Sequence, residues 1–183
     1  LTAFAGYEYR YDAKNRLIRV EGPNVEAELI YDFKNRVVAR IINGQTTRYV
    51  YDGWRLIAEY TGATMVAKHI HGARLDEIVL TVNEHGSYFH HHDLLGNVTH
   101  LSNARGEVVE SYRYSDFGKP TILNAEGERL SESAMGNRFL FTGRSYWHEL
   151  GLYDYRNRVY SAELGRFIQT DPIRFKAGDI NIY

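Results

Sequence analysis

Apolar and polar residues alternate with a period of two near the start of the chain. Tyr9 and Tyr11 fall on one side of an extended segment and Arg10 on the other; past a break, Leu17 and Arg19 oppose Arg16, Ile18 and Val20. This is the pattern of half-buried strands, since successive side chains of a strand point to opposite faces. The breaks share one chemistry, Asp12-Ala-Lys-Asn15-Arg16 and Asp32-Phe-Lys-Asn35-Arg36, with a shorter form at Asp52-Gly53-Trp54-Arg55. An Asp carboxylate accepts backbone N–H groups two residues on, and Asn tolerates positive φ, so each break predicts a tight reversal. The Tyr-Asp pairs at Tyr11-Asp12, Tyr31-Asp32 and Tyr51-Asp52 recur every 20 residues. That step holds two strands of roughly 7 or 8 residues and their turns, hence one β-hairpin per repeat.

The signal returns with drift at His92-Asp93-Leu-Leu-Gly96-Asn97-Val98, at Asn103-Ala-Arg-Gly106 and at Tyr112-Arg113-Tyr114-Ser115-Asp116-Phe117-Gly118. Asp93 and Asp116 join Asp12, Asp32 and Asp52 as expected turn formers. Asn124 to Asn137, with Gly127, Gly136 and a polar interior, reads as a long loop with one helical turn near Leu130 to Met135. The expected organisation is a hairpin strip over 1–120, a loop or insertion over 121–138, and a C-terminal region over 139–183. The fold class is all-β.

Composition narrows the partners. Hydrophobic residues make up 44% and charged residues 25% of 183 positions, enough apolar surface to offset chain entropy and fold. Lys+Arg 22 against Asp+Glu 23 leaves a net charge of −1, which disfavours a nucleic-acid partner held by counterion release. With Cys 0, disulfides, thiolate metal ligands and cysteine nucleophiles are excluded. No apolar run approaches the roughly 18 residues of a membrane span, and no leader is recognisable. Leu1 is not an initiator methionine, so the chain is expected to be part of something longer. The unusual count is Tyr 15 beside Pro 3 and Met 2.

The Tyr-Asp units, the Asp93-Leu-Leu-Gly96-Asn97-Val98 unit leading to Tyr114-Ser-Asp116-Phe-Gly118, and the run from Phe139 to Ile173 together resemble the Rhs/YD-repeat family. That family includes Rhs polymorphic toxins, the C component of Tc toxins and teneurin ectodomains. Thr142-Gly143-Arg144, Gly151-Leu152-Tyr153, Gly165-Arg166-Phe167 and Asp171-Pro172 look like its Rhs-associated core. The resemblance implies a curved, spiralling sheet that is a segment of a hollow β-shell enclosing a C-terminal toxin cargo. It further implies a secreted or cell-surface bacterial location, further YD repeats of the same parent chain, a cargo polypeptide and a secretion or delivery apparatus as partners, and no cofactor. Winding one turn of strip against the next protects otherwise open strand edges, and open edges on an isolated piece favour association.

The resemblance also marks Asp171 of Asp171-Pro172-Ile173 as half of an aspartyl autoprotease that releases cargo. Two close carboxyls can divide acid and base roles between them. The second Asp-Pro is absent from the chain, Arg174 replaces the family's usual Gly, and Asp179 is not at the matching place, so Asp171 is expected to act here as a turn residue. Arg144, Arg156, Arg158 and Arg166 crowd the same region and are expected to stack on rings and pair with acids. His69, His71, His90 and His92, with His85, His91 and His100 near them, have a spacing that permits Zn²⁺ without being diagnostic; a structural role is expected and no metal is assigned. Tyr9, Tyr11, Tyr31, Tyr49, Tyr51, Tyr114, Tyr153 and Tyr155 are expected to pack across strands, at about 0.2–1 kcal/mol per pair. A sugar-stacking adhesion surface is the alternative for these rings. The expected function is containment and presentation of cargo, without enzymatic activity in this segment; the alternatives are the autoprotease and the adhesion module.

Overall fold

The computed structural model describes residues 2–171. Fourteen strands form one sheet: β1 (Ala3–Phe4), β2 (Tyr7–Tyr11), β3 (Leu17–Gly22), β4 (Val25–Tyr31), β5 (Val37–Ile42), β6 (Gln45–Asp52) and β7 (Arg55–Thr61). It continues through β8 (Thr64–His71), β9 (Ile78–Asn83), β10 (Gly86–His92), β11 (Val98–Ser102), β12 (Val108–Tyr114), β13 (Pro120–Asn124) and β14 (Arg129–Leu130). Each strand pairs antiparallel with its neighbours in chain order, and β1 and β14 are the two edges, so the sheet does not close on itself. A second sheet of four strands follows: β15 (Ser145–Trp147), β16 (Leu152–Asp154), β17 (Val159–Ser161) and β18 (Arg166–Phe167).

Three expectations are corrected. Residues 121–138 are not simply a loop: Thr121 to Asn124 belong to β13, and Arg129 and Leu130 return as β14. Asn124 closes that hairpin by accepting the N–H groups of Glu126 and Glu128, as an Asp would. The helical turn expected near Leu130 to Met135 is absent; a 3-10 turn occurs instead at Phe141–Gly143. The strict alternation read from Leu17 to Val20 also fails. Both residues are fully buried on one face, because Arg10 faces Arg19 while Tyr11 faces Leu17, leaving Ile18 as an extra residue. A bulge of this kind inverts side-chain parity. The same shift occurs at Ile30/Tyr31, Val50/Tyr51, Ile70/His71 and His91/His92, in the four hairpins that follow, and not in the hairpin of β12 and β13.

One apolar core unites the sheets. Leu17, Val20, Leu29, Ile78 and Leu101 of the large sheet bury against Leu140, Trp147, Leu152, Tyr153 and Ile168. The large sheet must curl to do this. The turns after β2 and after β12 are ten strands apart, about 48 Å in a flat sheet. Yet Asn15 of the first bonds Thr170 at 2.5 Å, while Phe117 and Gly118 of the second accept the hydroxyls of Tyr160 at 3.1 Å and Tyr153 at 2.8 Å. A strip that touches the C-terminal region from both ends is wrapped around it.

Candidate functional site

The turns position everything else. Asp12 Oδ1 accepts the N–H groups of Lys14 and Arg16 at 2.9 Å each, and its Oδ2 takes Arg16 Nε at 2.7 Å; Asp32 repeats this with Lys34 and Arg36. Asn15 and Asn35 adopt the positive φ that closes each turn, 60° and 64°. These bonds to the ionised form hold the Asp12 and Asp32 carboxyls below their ordinary range against the opposing effect of partial burial. Asp93 does the same with Leu95 and Asn97. Asp52 and Asp116 depart from this pattern. Asp52 pairs directly with Arg55 across a two-residue turn, and at the later turn Ser115 Oγ, not Asp116, accepts the Lys119 N–H at 3.1 Å. Asn103, where the sequence signal also returns, closes a turn by accepting Arg105 and Glu107 N–H.

The tyrosines divide into two sets. Tyr9 and Tyr49 are buried in the core, and Tyr153 is fully enclosed. Tyr31, Tyr51 and Tyr114 reach back to the main chain of the preceding hairpin. Tyr11 donates to the Ile168 carbonyl at 3.0 Å, tying β2 to the C-terminal region, and Tyr155 bonds Thr142 at 2.8 Å.

Once the bulge is included, Val20, Arg40, Glu59, Thr81 and Leu101 share the inward face of their strands, and the middle three are polar and buried. Glu59 Oε1 lies 3.0 Å from His69 Nε2, His69 Nδ1 lies 3.0 Å from Thr81 Oγ1, and Thr81 Oγ1 lies 2.9 Å from His90 Nε2. This seam crosses β7 to β10 without a break. From the C-terminal region Arg138 Nη1 meets Glu59 Oε2 at 3.1 Å and donates to the Tyr49 hydroxyl at 2.8 Å. Arg40 pairs with Glu149 through two contacts at 3.1 and 3.2 Å. Burial alone would raise the Glu59 carboxyl; the Arg138 guanidinium and the His69 ring overcome that and hold it below the usual range. Burial drives His90 down to about 3, with His92 and His69 adding repulsion, so it stays neutral. Further along, Glu110, with no exposed surface, accepts Tyr112 and Ser133 hydroxyls and the Met135 N–H. These charged and polar groups key one placement of residues 133–149 on the sheet.

A second polar cluster sits beside a cavity of about 70 Å³ lined in part by Tyr51, Trp54, His71, Asp154 and Arg156. Asp76 pairs with Arg144 at 3.0 Å and Arg156 at 2.5 Å. Asp154 accepts the Arg156 N–H, and burial lifts its carboxyl to about 6 despite the nearby guanidiniums. Arg144 also lies over Tyr155 and Arg156 over Trp54. Asp171 Oδ2 meets Arg158 Nη1 at 3.1 Å, and Arg158 rests 3.6 Å from the Phe167 ring centre. Pro172, Ile173, Arg174 and Asp179 lie outside the described residues. His71 bonds the Leu56 carbonyl and His91 bonds Ser102, and among the described residues no group of three or more His, Cys, Asp or Glu is arranged to hold a metal.

Sequence reasoning missed Glu59, Arg138, Arg40, Glu149, Asp76 and Asp154. The available signal was a polar residue, at Arg40, Glu59 and Thr81, in the repeat position that holds Val20 and Leu101 elsewhere.

No family model matches the chain. It is 30% identical over 97% of its length to the tRNA3(Ser)-specific nuclease WapA of Bacillus spizizenii, and 25% identical over 96% to double-stranded DNA deaminase toxin A of Burkholderia cenocepacia. It spans 8% and 14% of those two proteins. Against the crystal structure of TcdB2-TccC3 the TM-score is 0.72 at 16% identity, covering 98% of this chain and 10% of that one. The chain is an Rhs/YD-repeat segment. As such a segment its all-β, unclosed sheet of hairpins matches a stretch of β-shell wall. No helix among its described residues is long and apolar enough to cross a membrane.

Proposed function

We propose that this Rhs/YD-repeat segment is a structural part of a shell that contains and presents a C-terminal toxin polypeptide. The observation that carries this is the fourteen-strand sheet, in chain order, wrapped so that the turns after β2 and β12 both hold the same C-terminal region. Such a wall offers main-chain bonding along its length and keyed polar contacts at its C-terminal region, and enclosure follows from curvature instead of a pocket. The names of the relatives add support: a tRNA nuclease and a DNA deaminase carry different activities yet both match along nearly all of this chain. A segment common to proteins of different chemistry serves as carrier, with the reaction located elsewhere. Delivery outside the producing cell, with an apparatus to accomplish it, is part of the proposal.

The test is limited proteolysis of the longer parent protein. The downstream polypeptide should resist protease while the shell is intact and become cleavable once the shell is unfolded. Cleavage of that polypeptide as fast in the intact parent as in isolation would overturn containment.

A further inference from the structure

The cavity between the large sheet and the C-terminal region plays no part in containment, and its polar lining is incompletely paired. Among the described residues, Arg144 and Arg156 each spend one terminal nitrogen on the Asp76 carboxylate, at 3.0 and 2.5 Å. Two guanidiniums thus share one partner and keep their other N–H groups unspent. Asp154 accepts the Arg156 backbone N–H through Oδ1, and its second oxygen has no hydrogen-bond partner. Arg36 and Arg138, also on the cavity wall, are committed to Asp32 and Glu59.

The site is held in place from both sides. Asp76 and Arg156 take left-handed backbone, φ 58° and 66°, which is uncommon for an arginine and persists only where the surroundings enforce it. The β8–β9 turn presses on the Phe141–Gly143 turn so closely that a Cβ at Gly143 would lie 2.5 Å from the Asp76 carbonyl oxygen. Burial lowers the Arg144 guanidinium, Asp76 opposing and Arg156 adding repulsion, while burial raises Asp154 to about 6. Once Asp154 takes a proton, the cluster of Arg144, Arg156, Asp76 and Asp154 holds two cations and one anion, so it lacks a negative charge. The four wall arginines disfavour a cation. At roughly 10–15 Å³ for each water-sized space, the cavity of about 70 Å³ takes about five non-hydrogen atoms. Trp54, 40% exposed, brings one wall to the surface.

We propose that this cavity binds a small carboxylate, or the carboxylate end of a longer molecule, gripped by Arg144 and Arg156 with the Asp154 carboxyl as a further donor. A planar carboxylate presents two oxygens to the guanidinium fork, which a tetrahedral anion matches less well. The rings of Tyr51 and Trp54 give its stem an apolar wall. The charged and titratable groups around Asp154 are Arg144, Arg156, Asp76, His71, Tyr31 and Tyr51. Burial raises both phenols and lowers His71, so His71 is the one other group here whose charging in acid would favour an anion.

Both tryptophans of the chain, Trp54 and Trp147, line the cavity, so their fluorescence reads it directly. The 183-residue chain is titrated with sodium propionate, with sodium chloride at matched ionic strength as the blank and sodium sulfate as the tetrahedral comparison. Propionate should bind saturably, and about twentyfold more weakly at pH 7.5 than at pH 5.5, because Asp154 must first take up a proton. Asp154→Asn should bind at pH 7.5 about as the native chain does at pH 5.5, a gain that misfolding cannot imitate. Arg156→Gln should lose about tenfold at pH 5.5, the value of one hydrogen bond to a charged group. No signal beyond the chloride blank, sulfate binding as tightly as propionate, or a pH dependence that survives Asp154→Asn would overturn the assignment.

Discussion

The Tyr31 hydroxyl donates a 2.7 Å hydrogen bond to the Leu17 carbonyl, 14 residues back in the preceding hairpin. The bond recurs from Tyr51 to Val37 at 2.9 Å, from His71 to Leu56 at 2.7 Å and from Tyr114 to Val98 at 2.6 Å. The accepting residue in each case lies at the start of the strand after a turn, first or second in it, beside the bulge, where regular ladder bonding is interrupted. Tyr31 and Tyr51 of the Tyr-Asp pairs, and Tyr114, therefore stitch one hairpin to the one before it, and His71 can take the same place because its ring N–H serves as the same donor. Arg16 and Arg36 lie over the Tyr31 and Tyr51 rings, at 4.8 and 4.9 Å, and keep them in place.

Tyr31→Phe is expected to cost about 1 kcal/mol, the net value of one such bond, with a larger loss if the Leu17 carbonyl stays dry. Chemical unfolding monitored by circular dichroism measures it. A cost near zero would mean that ring packing, not the hydroxyl, accounts for the recurrence of Tyr at this place.

The Asp residues of the turns should not be equivalent. Asp32→Ala removes acceptors for two N–H groups and for the Arg36 guanidinium, and should lower stability by about 1–2 kcal/mol. Asp116→Ala should stay within about 0.5 kcal/mol, as expected for an exposed residue without such a role, while Ser115→Ala should cost more. Matched urea titrations of the three variants provide the comparison; an Asp116 effect as large as that of Asp32 would restore it as a turn former.

Glu59 and Arg138 form a buried charge pair, and removing one partner strands the other. Glu59→Gln or Arg138→Met should each destabilise by about 3–5 kcal/mol, whereas Glu59→Gln with Arg138→Met should cost less than the sum. A double-mutant cycle by denaturant unfolding reads the coupling. Strict additivity would show that the pair does not hold residues 133–149 on the sheet.

Acidification acts in opposite directions on two groups. The folded His90 pKa of about 3 lies below the unfolded 6.5, so the unfolded chain binds the proton first. Stability is complete above pH 6.5 and falls as pH drops toward 3, by roughly 5 kcal/mol in the limit. The Asp154 pKa, raised to about 6 from 3.8, works the other way: a penalty present above pH 6 is relieved as pH falls toward 3.8. Between pH 6.5 and 5, His90→Gln should therefore flatten the acid loss of stability and Asp154→Asn should steepen it. Unfolding midpoints at pH 7.5, 6.5 and 5 distinguish them, and parallel profiles for both variants would contradict the assignment.

The 20-residue step, the hairpins and the reversals at Asp12, Asp32 and Asp93 were legible from sequence because turn chemistry acts within five residues. A carboxylate and the N–H groups it accepts are held close by the chain itself. The turn at Asn103 was legible in the same way, whereas Asn124, which uses the same geometry, was read as the start of a long loop. The inward face was misread beyond each turn, since one bulge residue, such as Ile18, exchanges the two faces of all that follows in the strand, and neither Leu17 nor Val20 announces it. The polar seam lay out of reach for a different reason. Arg138 and Tyr49 are 89 positions apart, and only the curling of the sheet brings them to hydrogen-bonding distance. Local sequence determined that this chain makes YD hairpins and where each reverses. Packing decided how far the strip bends, which polar groups it buries and which turn tips it leaves in water, because those depend on long-range contacts that no five-residue window contains.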